Sequence, residues 1–509
     1  MAKAASDPFD IVIIGGGING AGIARDAAGR GYSVLLAEMN DLASGTSSWS
    51  TKLIHGGLRY LEHFEFRLVR EALVEREVLL RIAPHAVAPM RFILPHHDGI
   101  RRAFLIRLGL FLYDALYLKR SLPGSKAIRF NRDPAGQTLK PGFQKGFEYS
   151  DCAVDDTRLV ILNARDAADR GADLRVRTKV ISARRDNGLW RIDLQDEHGK
   201  RETVGARMII NAAGPWADRV ASTVTGLNAE GSVRMVRGSH IVVRRHFEDS
   251  RAFIFQNEDD RVIFAIPYRD DFTLIGTTDC DYEGDPAKAE ITPEETNYML
   301  EAVNEYFARP VQQTDIVWQF SGVRPLYDDG EEAAAKTTRD YVLSDDVSDQ
   351  CAVINIYGGK LTTYRKLAET VLERIGYQIG AKGKPWTSTA QLPGGDFNRS
   401  EFETLVDRAR KTYGFLSDRA ARRLTEAYGT RLFTILGDRN AAEVGADYSG
   451  AAQLGLYACE LDHLIEREWA CSVDDVLWRR SKLGLFVDQD AINKIDHYLK
   501  ERRSCSKSH

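Results

Sequence analysis

The sequence predicts an α/β + α protein, with a Rossmann-like dinucleotide-binding domain, an antiparallel β domain and a helical C-terminal cap. Three observations carry this. A strand, a glycine-rich turn, a helix and a second strand follow one another between residues 9 and 38. Alternating polar and apolar segments run from about 230 to 345. From about 398 onward the pattern is helical. The breaks between these textures divide the chain into a discontinuous dinucleotide-binding unit (1–90, 150–228 and 345–380), a substrate unit (91–149 and 229–344), a linker (381–397) and a helical unit (398–509).

Each element has its own signal. FDIVII at 9–14 reads as a buried strand, the stretch to Arg30 as a helix closed by Gly31, and YSVLLA at 32–37 as the second strand, with Glu38 at its end. Residues 65–83 form a helix stopped by Pro84, and 90–150 are mixed and loop-rich. A helix follows at 156–170, then a strand at 174–183 with a hairpin partner at 189–195, and RMIIN at 207–211 is a short buried strand. The chain ends its α/β part with a strand at 353–357 and a helix at 361–376. Residues 380–396 are rich in Gly, Lys, Ser, Thr and Pro, as a linker is.

Bulk composition excludes some classes. With 43% hydrophobic and 28% charged residues the chain is globular, and a net charge of -4 over 509 residues gives no footprint for nucleic acid. The six cysteines are scattered without a C-x-x-C pair, which argues against a disulfide framework or a metal site. No apolar stretch has the length of a membrane span. Residues 103–113, edged by Arg101, Arg102, Lys119 and Arg120, suit either a buried helix or one lying in a membrane interface.

Gly15, Gly17 and Gly20 form G-x-G-x-x-G between a strand and a helix. The first permits a tight turn, the second lets a pyrophosphate approach the backbone, and the third lets helix and strand touch. Glu38 accepts from ribose hydroxyls and repels a 2′-phosphate, which favours FAD or NAD over NADP. Two more glycine-bearing strand ends, at Ala213-Gly214 and at Gly358-Gly359-Lys360-Leu361-Thr362, suit the longer FAD. The helix after Gly359 would direct its N–H groups toward the flavin, where negative charge builds on reduction. The segment 47–60 gathers hydroxyls, His55, two glycines, Arg59 and Tyr60. His55 suits a flavin contact or a substrate proton, Arg59 suits an anion, and His240 is a second candidate base. Arg324, Arg339 and Arg365 sit in motif-like settings fit for a phosphate.

GGGINGAG at 15–22, TKLIHGGLRYL at 51–61, GFEYSDCAVDD at 146–156, SGVRPL at 321–326 and GGKLTTYRK at 358–366 together resemble the FAD-dependent glycerol-3-phosphate dehydrogenases, over nearly the whole chain. The resemblance implies a glycine oxidase/D-amino acid oxidase-like fold. It implies oxidation of glycerol 3-phosphate to dihydroxyacetone phosphate, with hydride passing to FAD and electrons to a membrane quinone. It further implies a monotopic homodimer on the cytoplasmic side of the inner membrane, and it favours the interfacial reading of 103–113. Neither a targeting peptide nor an EF-hand loop is seen, which fits the bacterial form. Carried over, Arg59, Tyr60, His240, Arg324 and Arg339 are the substrate set, with His55, His240 and Arg324 as catalytic candidates. The FAD set is Gly15, Gly17, Gly20, Glu38, Thr46, Ser47, Ser48, Lys52, His55, Gly57, Val180, Lys360, Leu361 and Thr362, joined by Ala213, Gly214 and Gly359 from the strand ends. The rival readings are a glycerophosphate oxidase using oxygen, an amino-acid or amine oxidase on the same fold, and a flavin-binding membrane scaffold or regulatory protein.

Overall fold

The strand β1 (Phe9–Ile14) is apolar because both its faces are covered. It pairs in parallel with β2 (Val34–Glu38) on one side and with Arg201–Asn211 on the other. The computed structural model describes residues 7–97, 102–226, 233–257, 259, 261–276, 278–328, 340–450 and 453–506. In it, five parallel strands run in the order Cys351–Tyr357, Arg201–Asn211, β1, β2, Asp173–Val176, and Val342–Ser348 joins antiparallel at one edge. The helix α1 (Ile18–Gly29) packs with Asp156–Asp169 and Tyr364–Ile379 in the principal core.

The strand expected at 174–183 is two strands, Asp173–Val176 and Thr178–Asp186, separated at Arg177 by a left-handed φ of +56°. The second of them makes the expected hairpin with Leu189–Asp196.

The second sheet has ten strands and is antiparallel except where Ala252–Gln256 lies parallel to Val87–His96. Its centre is not confined to residues 230–345. Val87–His96 and Lys145–Val154 pair over ten residues, inside the stretch that reads as loop-rich in sequence. Pro89 and Pro95 interrupt the alternation there, which conceals the strand.

The tail forms a helical core of its own, built by Phe402–Thr412, Asp418–Tyr428, Leu432–Leu436, Ala458–Glu468 and Gln489–Ser506. The linker before it is irregular but fastened. Arg25 donates to Ala390 O (2.8 Å), and the Trp386 indole lies where a Cβ on Gly29 would stand (2.0 Å).

His85 lies at this domain junction, 3% exposed and close to Gly429, with no hydrogen-bond partner on either ring nitrogen among the described residues. Burial lowers its pKa to about 3, and the neighbouring Arg158, Arg399 and Arg431 push the same way. The folded pKa is below the unfolded one, so the unfolded chain takes up a proton as pH falls below the ordinary imidazole range and the folded chain does not. His85 therefore has no pH-dependent cost above about 6.5 and a growing one down to about 3. We predict that His85→Leu raises the unfolding midpoint more at pH 5 than at pH 8. Equal shifts at both pH values would remove His85 as a cause of acid lability.

Candidate active site

The turn after β1 opens a long cleft. Gly15 has φ +111°, and a Cβ there would lie 2.5 Å from Ala212 O. A Cβ on Gly20 would lie 2.0 Å from Gly15 O, so helix and turn touch backbone to backbone. Gly17 precedes the first residue of α1, and its missing side chain leaves the helix N-terminus open to the cleft; the nearest atom to a Cβ there is Ser47 Oγ at 3.1 Å. The tight turn at Gly15 and the close contact at Gly20 are as the motif predicts, each set by a distance.

The loop at 46–52 forms one wall. Ser47 Oγ accepts from Ile18 N (3.0 Å), and Thr46 Oγ1 donates to Val323 O (2.6 Å), tying the two domains together beside the cleft. Thr46 and Ser47 line the cleft, but two neighbours differ from expectation. Ser48 is buried with its hydroxyl on Gly45 O (3.3 Å). Lys52 is buried with its ammonium on Ser48 O (2.9 Å) and Asp156 Oδ2 (2.8 Å). Neither lines the cleft, because the buried Asp156 carboxylate draws Lys52 inward. On the opposite wall Glu38 accepts from Gly16 N and Asn40 N (2.7 Å each). Burial raises its carboxyl pKa while these two bonds oppose the rise.

Val180, Ala213, Gly214, Gly359, Lys360 and Leu361 also line the cleft. Asn19, Asn40, Lys179, Trp216, Arg219 and Pro325 line it as well and were missed. Asn19 was legible, being inside the glycine motif. Its Nδ2 donates to Gly358 O (3.2 Å), and its Oδ1 is buried without a partner.

Lys360 lines the cleft, whereas His55, Gly57, Arg59, Tyr60 and Thr362 lie behind its lining, next to Lys360. Gly358 and Gly359 both have left-handed φ (+76° and +103°), which turns Lys360 toward the 57–63 segment, and Lys360 Nζ lies 3.9 Å from the Tyr60 ring centroid. Gly57 (φ +76°) starts the short 3₁₀ helix Leu58–His63 that carries Arg59 and Tyr60; a Cβ on it would meet the Tyr60 ring at 2.2 Å. Thr362 Oγ1 accepts from His55 N (3.3 Å). The next amide, Gly56 N, is held by Tyr113 Oη (2.9 Å) and Asp151 Oδ1 (3.3 Å). Burial lowers the His55 pKa; Asp151 opposes this and Lys360 adds to it, leaving the imidazole neutral near pH 7. Its side chain is partly exposed, and no carboxylate pairs with Arg59 among the described residues.

His240 and Arg324 form a second group. His240 lies within Val233–Arg244 and pairs with Phe320 across the sheet. It is 1% exposed, stacked on Phe320 (centroids 4.8 Å apart), with Nε2 on Thr51 Oγ1 (3.0 Å) and Nδ1 without a partner among the described residues. Burial depresses its pKa well below the ordinary value, and Arg324 and Lys52 add to this. The Arg324 guanidinium lies over Gly238 and donates to Asp279 Oδ1 (2.5 Å) and Thr278 O (3.2 Å). Arg365 is not at the site: it is buried against Glu75 and Glu369. Arg339 lies outside the described residues.

The cleft suits a dinucleotide cofactor on three counts. Glycines clear its turn, a helix N-terminus faces it, and a buried amide oxygen, Asn19 Oδ1, is unpaired beside it. The family model described as FAD dependent oxidoreductase matches residues 10–364. The chain belongs to the FAD-dependent oxidoreductases. Its cofactor is FAD. A second model, the C-terminal domain of alpha-glycerophosphate oxidase, matches residues 385–506 of this oxidoreductase. The oxidoreductase is 48% identical over 496 residues to a glycerol-3-phosphate dehydrogenase of Pseudomonas aeruginosa, covering 97% of this chain and 95% of that protein. It is 46% identical over 482 residues to a D-erythritol 1-phosphate dehydrogenase of Brucella abortus, covering 94% and 95%. Its fold matches the crystal structure of a glycerol-3-phosphate dehydrogenase from Bacillus halodurans complexed with FAD at a TM-score of 0.76 and 28% identity, covering 98% of this chain and 91% of that one.

Proposed function

We propose that this oxidoreductase converts sn-glycerol 3-phosphate to dihydroxyacetone phosphate and passes the electrons to a membrane quinone. The observation that carries this is the cluster beside the cleft where neutral, partly exposed His55 stands with Lys360 and Tyr60, next in sequence to Arg59, which has no carboxylate partner among the described residues. Bound FAD supplies a two-electron acceptor for the hydride on the secondary carbon. His55 takes the hydroxyl proton. Of the two histidines it is the better base, because His240 is 1% exposed with its Nε2 on Thr51. Arg59 and Lys360 supply the positive charge that a phosphate dianion needs. Arg324 and Arg339 complete the phosphate set in this reading, with Arg324 steadied by Asp279. An amino acid presents a single carboxylate and its own ammonium, which this cationic cluster disfavours. Loss of Arg59 removes a charge-assisted contact worth about 2 kcal/mol, so Arg59→Leu raises KM for glycerol 3-phosphate by roughly 30-fold with FAD content unchanged. Unaltered KM would sink the phosphate reading.

The erythritol phosphate relative supports a second reading on the same site. D-Erythritol 1-phosphate offers the same phosphate and secondary alcohol with a longer carbon chain. The ratio of kcat/KM for the two phosphates decides between them.

The helix Ala103–Ala115 supports the membrane part of the proposal. Its Ile106, Leu110 and Tyr113 are buried, while Phe104 (74%), Leu105, Leu108 and Phe111 (60%) form one exposed apolar face, edged by Arg102, Arg107 and Lys119. No helix among the described residues is long and apolar enough to cross a membrane. The homodimer and the cytoplasmic face of the inner membrane belong to the same reading. We predict that Phe104→Asp with Phe111→Asp releases the protein from anionic vesicles in flotation while flavin reduction by substrate stays normal. Unchanged flotation would place the membrane contact elsewhere.

A further inference from the structure

The C-terminal domain reaches the cofactor cleft without lining it. Residues 479–482 contact one wall loop directly, at Asp41, and the other through Asp156, the first residue of the helix Asp156–Asp169. At one end Arg479 Nε donates to Asp41 Oδ2 (2.6 Å), and the two terminal nitrogens of Arg480 donate to the two Asp41 oxygens (2.8 Å each). Asp41 directly follows Glu38, Met39 and Asn40, which line the cleft. The next side chain, Leu42, fills the space beside the glycine turn, 2.8 Å from where a Cβ on Gly16 would stand.

At the other end Lys482 Nζ lies 3.9 Å from Asp156 Oδ1. Asp156 Oδ2 accepts from Ser50 Oγ (2.7 Å) and from Lys52 Nζ (2.8 Å). Ser50 lines the cleft and belongs to the loop whose Ser47 meets the first amide of α1. Lys482 has a left-handed backbone (φ +58°), the turn that sends Arg480 and Lys482 to different loops.

Asp41, Asp156, Arg480 and Lys482 are each at most 2% exposed. A carboxylate so buried is held in place by its cations, and removing one of the two weakens the hold on the wall beside it. For Asp41 the cations are Arg479 and Arg480, both from the C-terminal domain. For Asp156 they are Lys52 and Lys482. Burial, reinforced by the charge of Lys52, lowers the Lys482 pKa to about 7 against the pull of Asp156 and Asp155, with Arg269 also facing it.

We propose that residues 479–482 are a positioning clamp for FAD, through which the C-terminal domain sets the spacing of the two cleft walls and so the tightness with which the cofactor is held. The proposal rests on the cleft being the FAD site. It gives the C-terminal domain a part in cofactor retention that does not involve contact with the cofactor.

The test uses the full-length holoenzyme. FAD release on dilution is followed by flavin fluorescence, well below the unfolding midpoint, for the parent, Arg479→Gln, Arg479→Lys and Lys482→Met. The expected result is release about tenfold faster in Arg479→Gln and Lys482→Met, and near-parent release in Arg479→Lys, which keeps the cation. Parent-like release in Arg479→Gln overturns the clamp, even if the unfolding midpoint falls, because the segment then contributes to fold stability alone. Should Lys482→Met yield no folded protein, the Arg479 pair decides. Gly20→Ala is run alongside: if it holds FAD as tightly as the parent, it is the cleft assignment beneath the proposal that has failed.

Discussion

His55→Gln lowers the rate constant for flavin reduction by glycerol 3-phosphate by roughly 10²–10⁴-fold, the usual contribution of a positioned general base. Glutamine keeps the polar volume and removes the titratable nitrogen. The fold around it should hold, since the His55 backbone is fixed by Thr362 and the following amide by Tyr113 and Asp151. FAD content is therefore expected to stay at the parent level. Burial keeps the imidazole pKa below its ordinary value, so the base is already unprotonated at pH 7 and the rate should fall only at a pH below the ordinary imidazole range. Stopped-flow reduction as a function of pH reads both effects. If His240→Gln gives the larger loss, and His55→Gln loses little, the proton goes to the buried histidine and Thr51 becomes its relay.

Gly20→Ala is expected to abolish FAD retention. The added Cβ would stand 2.0 Å from Gly15 O, a backbone atom that cannot rotate away. To relieve the overlap α1 must shift from the turn, which moves the open helix N-terminus off the position where a pyrophosphate binds. Overpacking of this kind costs about 1–3 kcal/mol or more in stability, and here the displaced elements are the binding site. Flavin absorbance per protein after purification is the measurement. Gly414→Ala, where a Cβ would meet nothing within 4 Å, is the control and should retain FAD. A yellow Gly20→Ala protein would mean that the turn does not carry the cofactor.

The parts of the fold legible in the sequence are those with short-range causes. FDIVII, the glycine turn and Glu38 lie within 30 residues of one another, and their pairing and close contacts follow the local pattern. Long-range causes stayed hidden. The inward turn of Lys52 depends on Asp156, 104 positions away, and nothing near Lys52 announces it. Val87–His96 has prolines where alternation should be, and its place in the sheet comes from Lys145–Val154. Arg365 reads as a phosphate ligand in GGKLTTYRK, yet Glu75, from a helix far earlier in the chain, claims it. Residues 475–485 form short irregular turns without periodicity, so their grip on Asp41 and Asp156 has no signature in sequence.

The most direct test of the account is an anaerobic absorbance spectrum of the purified protein, taken before and after adding substrate. A flavin band at about 450 nm is expected that bleaches with glycerol 3-phosphate and not with glycerol or amino acids. A flavin band that glycerol 3-phosphate leaves intact, while an amino acid or D-erythritol 1-phosphate bleaches it, would contradict the substrate assignment.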